Sequence, residues 1–126
     1  MFLSVEQIHR LHAIGLHDHG GSPGIRDSGL IESALASAQN AALYGGGDHF
    51  DIAAAYAFHL AQAQAYLDGN KRVGVMAALV FLSMQGYKHH PSVSDQDQLY
   101  NAMIGMATRD VDKAGLATLL REMFSR

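Results

Sequence analysis

A chain of 126 residues is long enough for one domain with a real core and too short for two. With 48 % hydrophobic residues and a net charge of −3 (histidines neutral), it is neither disordered nor a nucleic-acid binder driven by overall charge. The lack of cysteine excludes disulfides and thiolate metal sites.

The N-terminus, Met1-Phe2-Leu3-Ser4, lacks a basic region followed by a long apolar one. Ser4 and Gln7 fit a capping box, and Val5, Ile8 and Leu11 recur at helical spacing, which predicts a first helix over about 5–15. His17-Asp18-His19 has two metal-ligating side chains, but no spacing supplies a third and fourth, so solvated histidines are the expectation. Residues 20–26 hold three glycines and a proline and read as a loop. Asp27 or Ser28 can cap a second helix over about 29–40, with Leu30, Ile31, Ala34, Leu35 and Ala38 inward. Residues 44–50 break the pattern with three glycines and read as a connector.

Asp51 can cap a third helix over about 52–64. His59 lies on its mostly apolar side and is expected to be a hydrogen-bonded core histidine. Residues 73–85 are apolar almost all round, which predicts a buried central helix stopped by Gly86. Residues 87–94 form a linker with Pro91, and His89-His90 adds no ligand at a usable interval. Ser94 can cap a fifth helix over about 95–108, and Asp110 or Asp112 a sixth over about 113–124. No stretch alternates like a strand. Gln62, Gln64 and Asp68 interrupt the longest apolar run before it reaches membrane-spanning length. The expectation is a soluble, cytoplasmic, all-α protein, with residues 1–126 one domain of about six helices around a buried central one.

Between the third and fourth helices lies Ala65-Tyr66-Leu67-Asp68-Gly69-Asn70-Lys71-Arg72. A turn that opens a helix presents free N–H groups at the positive end of the helix dipole, a natural seat for phosphate. Lys71 and Arg72 add cationic donors, and arginine grips two phosphate oxygens at once. Asp68 suits Mg²⁺, which takes one or two carboxylates and completes its sphere with phosphates. Gly69 lets the backbone approach closely. The competing reading is a plain Asp-Gly-Asn turn with two solvated cations.

The stretch resembles the signature of the Fic/Doc (Fido) family, His-x-Phe-x-Asp-Gly-Asn-Lys-Arg, as found in its death-on-curing (Doc-like) toxins. This chain reads Gln64-Ala65-Tyr66-Leu67-Asp68-Gly69-Asn70-Lys71-Arg72. Residues 20–27 and 79–87 are also similar to Doc-like segments. The resemblance implies a Fic/Doc-type helical domain that uses ATP and Mg²⁺ to modify a protein hydroxyl. Asp68 would hold the metal, and Gly69, Asn70, Lys71 and Arg72 the phosphates. Lysine at position 71 goes with phosphate transfer, where glycine goes with AMP transfer. The implied target is translation elongation factor Tu, and the implied inhibitor a separate Phd-like antitoxin, since no internal Ser/Thr-x-x-x-Glu-Gly/Asn helix is present. Residues 44–50 would be the flap that aligns the target.

One position departs from the signature. Gln64 stands where the family has its catalytic histidine. An amide cannot act as a base near neutral pH, and general base catalysis is worth roughly 10²–10⁴ in rate, about 3–5 kcal/mol of barrier. Three readings follow: a weakened or differently organised enzyme, a non-catalytic nucleotide- or partner-binding pseudoenzyme, or a replacement made to permit production of a toxic chain. His59 does not substitute, because five residues along a helix turn a side chain through about 140°.

Overall fold

The first helix begins where its capping box places it. Ser4 Oγ accepts from the Gln7 amide at 3.2 Å, and Gln7 Oε1 accepts from the Ser4 amide at 2.8 Å. In the computed structural model, which describes residues 2–88 and 91–125 without the side chains of Ala42 and Leu43, α1 runs Val5–His19. It is a turn longer than its apolar spacing suggested. His17 and His19 fill that extra turn at the dipole's negative end. His89 and His90 lie outside the described residues.

The other helices are α2 Ser28–Tyr44, α3 His49–Ala63, α4 Asn70–Met84, α5 Val93–Ala107 and α6 Lys113–Phe124. Asp27 caps α2 through the Gly29 amide, and Asp112 caps α6 through the Gly115 amide. Two caps differ from expectation for one reason. Asp48, not Asp51, is the N-cap of α3, and Ser92, not Ser94, that of α5. In both, the acid three residues on (Asp51, Asp95) closes a reciprocal box with the cap, which draws the helix start back along the chain. Gly86, at φ +97°, follows the end of α4 as expected. Among the described residues there is no strand, only an isolated antiparallel bridge between Ile25 and Tyr66. No described helix is long and apolar enough to cross a membrane.

The centre is shared by two helices. α4 packs on α1, α3 and α5, and α3 packs on α2, α4, α5 and α6. α3 fits this place because Ala53, Ala54, Ala55 and Ala57 keep its surface low, while Tyr56 and Leu60 fill the gaps. At the α3–α4 crossing Gly74 lies so close to Ala57 that an added Cβ would stand 2.8 Å from its carbonyl oxygen. Phe81 and Leu82 of α4 are essentially without solvent contact. Burying each is worth about 1.5–3 kcal/mol, so α4 is firmly fixed in the core and its first turn is held with it.

A six-residue connection, 64–69, joins α3 to α4. Its backbone is pinned by the loop after α1: Arg26 and Asp27 amides donate to Ala65 O at 2.7 and 3.1 Å, and Leu67 N to Gly24 O at 3.1 Å. Loop 20–27 is therefore the segment beside the motif. Residues 44–50 are not. They lie at the opposite end of α3, a helix of 15 residues and hence about 22 Å long, so the flap position expected for them is corrected.

Candidate functional site

The signature stretch starts with a backbone exception. Gln64, the C-cap of α3, adopts the left-handed region at φ 50°, ψ 45°. A side chain there costs of order 1 kcal/mol, so the surrounding contacts must hold it. Ala65 and Tyr66 do so by being buried, at 2 % exposure each. Burial pushes the Tyr66 phenol up to about 12. The Tyr66 backbone is then tied to Asn70: the Tyr66 amide donates to Asn70 Oδ1 at 3.1 Å, and Asn70 Nδ2 donates to Tyr66 O at 3.0 Å. Both ends of the Asn70 amide are thus used to shape the loop.

Asp68 is exposed, and each of its carboxylate oxygens accepts one backbone bond. Oδ1 takes the Gly69 amide at 2.9 Å, and Oδ2 the Ser22 amide at 3.1 Å. The Gly69 N–H is therefore already bonded. Gly69 holds φ +80° as the N-cap of α4, and its carbonyl receives the Val73 amide at 3.0 Å. No side chain caps α4. Its first-turn amides, at Asn70, Lys71 and Arg72, keep the character of an anion site.

Gln64 and Lys71 meet in the wall of one cleft of about 540 Å³ at the ends of α3, α4 and α5. Phe58, Met103 and Met106 give it an apolar side, and Arg109, Lys113 and the Asp112 carboxylate add charge of both signs. The rest of the signature faces elsewhere. Asp68 and Gly69 face α1 and loop 20–27, with Gly21 tight against the Asp68 carboxylate. The Arg72 guanidinium lies over the Tyr100 ring of α5, 3.9 Å from its centroid. Among the described residues, Lys71 and Arg72 take part in no ion pair. Nor does any group of three or more metal-ligating side chains gather there. Asp68 alone suits a metal whose remaining ligands come from phosphate and water.

His59 is half-buried and edge-on to Phe58, with ring centroids 5.0 Å apart. Burial first, and Lys113 second, depress its basicity. Two other histidines brace the loop and were not singled out from the sequence. His9 Nδ1 is 2.7 Å from the Tyr66 hydroxyl, and His12 Nε2 is 2.7 Å from the Asp68 carbonyl. Their i, i+3 spacing puts them on one face of α1, a usable signal. The partner 56 residues away is not visible in the sequence.

The chain is an all-α domain whose buried helix α4 starts without a side-chain cap and places Lys71 in the wall of a cleft. The Fic/DOC family model matches residues 2–82, which span α1 through most of α4 and the whole loop. The chain belongs to the Fic/Doc family, among its Doc-like members. It is similar to "Protein kinase doc" of Escherichia phage P1, 29 % identical over 123 residues that cover 97 % of this chain and 94 % of that protein. It is also similar to "Toxin Doc" of Mycolicibacterium smegmatis, 38 % identical over 104 residues that cover 80 % of this chain and 78 % of the relative.

Proposed function

We propose that the chain is the toxin of a toxin–antitoxin module and a nucleotide-dependent transferase that phosphorylates a protein hydroxyl. Its relatives' names, a kinase and a toxin, support that class. The observation that carries the reading is Lys71, at the uncapped start of α4, sharing the cleft wall with Gln64. Residues 1–126 act as one Fido domain in the cytoplasm. A separate Phd-like antitoxin is the partner, and elongation factor Tu the target carried over from the resemblance.

In this reading ATP supplies the phosphoryl group, and Mg²⁺ neutralises the charge on its phosphates. The exposed Asp68 carboxylate would hold the metal, with its two backbone bonds fixing its orientation. The amides of Asn70, Lys71 and Arg72 would hold phosphate oxygens, with the Lys71 ammonium beside them. The Asn70 side chain and the Gly69 amide support the loop from behind. The Arg72 guanidinium, stacked on the Tyr100 ring, keeps its edge N–H groups for a phosphate oxygen. Gln64 orients the target hydroxyl by hydrogen bonding and removes no proton, so the hydroxyl proton passes to solvent as the O–P bond forms and ADP leaves.

That last point favours a second reading. With an amide at position 64, the chain is a nucleotide- or partner-binding pseudoenzyme on the same fold. Incubation with γ-labelled or α-labelled ATP and elongation factor Tu separates the two. Label from the γ position in the protein, increased in Gln64→His, is the expected result. Bound ATP with no label from either position in either form would establish the pseudoenzyme instead.

A further inference from the structure

His12 is 7 % exposed and, tyrosines apart, is the one buried polar side chain among the described residues. The proposed transfer gives it no part. It belongs to α1, yet it lies against three residues of the motif, Tyr66, Asp68 and Gly69. Its ring lies flat on Tyr66, with centroids 3.6 Å apart and planes 7° from parallel. Its Nε2 is 2.7 Å from the Asp68 carbonyl oxygen. A carbonyl only accepts, so Nε2 carries the hydrogen and donates it. A Cβ on Gly69 would stand 3.4 Å from the same nitrogen.

These contacts fix the peptide that joins Asp68 to Gly69. Its carbonyl is held by His12, so its N–H, that of Gly69, points the other way and meets Asp68 Oδ1 at 2.9 Å. One peptide orientation thereby sets the Asp68 carboxylate and the left-handed Gly69 that opens α4. His9 supports it from a turn earlier, with Nδ1 2.7 Å from the Tyr66 hydroxyl and its ring edge-on to Tyr66. We infer that His12 is a positioning residue: its Nε2–H locks the Asp68–Gly69 peptide so that the carboxylate and the first amides of α4 face a phosphate–metal ligand together. This rests on the nucleotide reading above and deepens it. His12 touches neither phosphate nor metal in this account.

The hydrogen bond and the stacked ring can be separated by substitution. His12→Phe keeps a flat ring against Tyr66 and removes the donor. His12→Gln keeps a donor and removes the ring. Calorimetry with Mg·ATP on the full chain gives affinity, thermal unfolding of the free protein gives stability, and amide hydrogen exchange at Gly69 reports the peptide lock without ligand. The expected result is a loss of affinity of about two- to tenfold in His12→Phe, the net worth of about one hydrogen bond. Gly69 exchange rises in the same variant, and His12→Gln recovers at least part of both. ATP without Mg²⁺ is affected less, because the carboxylate is the group displaced. Wild-type affinity and Gly69 protection in a folded His12→Phe overturn the inference alone. No heat from the wild-type chain with Mg·ATP overturns the nucleotide reading and, with it, this inference.

Discussion

The two ends of the α3–α4 pair are built on opposite terms. At the end where α3 begins, charge is matched. The Arg121 guanidinium bonds both oxygens of Asp48 at 2.9 and 3.0 Å and Asp51 at 2.8 Å, and the same two acids cap α3. Tyr87 packs edge-to-face with Phe50 and Phe124, and those two rings are tilted against each other. At the end where α4 begins, two adjacent cations lack a carboxylate partner among the described residues, the helix lacks a side-chain cap, and a glutamine holds a left-handed backbone. One end meets its own demands. The other leaves its two cations without a carboxylate among the described residues, and in the proposed function a phosphate ligand takes that place. Removing a group from the first should therefore cost stability, and from the second binding or rate.

The largest effect expected at the unmatched end is on rate. Gln64→His restores a base and should raise phosphate transfer by about 10²–10⁴-fold, read as initial rates of label incorporation, with little change in ATP affinity. Next, Lys71→Ala should weaken Mg·ATP binding by about 1.5–3 kcal/mol, the usual worth of a hydrogen bond to a charged group. Calorimetry measures the loss, and an unchanged unfolding midpoint shows that it belongs to the ligand. A mutation between the two ends tests the rod that joins them. Gly74→Ala gains about 1 kcal/mol of helix propensity but drives a methyl group to 2.8 Å from the Ala57 carbonyl oxygen. Overpacking of this kind costs about 1–3 kcal/mol. Denaturant unfolding should show a net loss, because the obstacle is backbone.

The smallest effect is expected at the matched end. Arg121 lowers the Asp48 carboxyl from 3.8 to about 2. A carboxylate depressed in the folded state adds stability that is fully present above the unfolded value and is lost as pH falls through the folded one. The contribution should fade between about pH 4 and pH 2. Arg121→Gln should flatten the pH dependence of unfolding in that window and leave ATP binding unchanged. The pair is partly exposed, so the change is modest and shrinks in salt.

The sequence was most legible where one local pattern decided the outcome. The apolar run of α4 with Gly86 behind it, the Ser4–Gln7 box, and the bounds of α6 all came through. It was ambiguous where two polar residues three apart share one cap. Asp48 with Asp51 and Ser92 with Asp95 each form a box, and the outer member is the cap. At the site, the reading of 68–72 as a helix start matched the fold. It did not show that Asn70 spends its amide on Tyr66, that Gly69 spends its N–H on Asp68, or that Arg72 leans on Tyr100. Those depend on which groups meet after packing. The same holds for loop 20–27 lying beside the motif, and for His12, whose partners are fixed by how α1 crosses α4.

The most direct measurement is of backbone amide NMR signals as Mg·ATP is added to the chain. Asn70, Lys71 and Arg72 should shift together and saturate with the ligand, while Asp48, Asp51 and Arg121 stay in place. Saturating binding that leaves 70–72 unmoved, or that moves only the Arg121 end, would contradict the assignment of the α4 start as the phosphate seat.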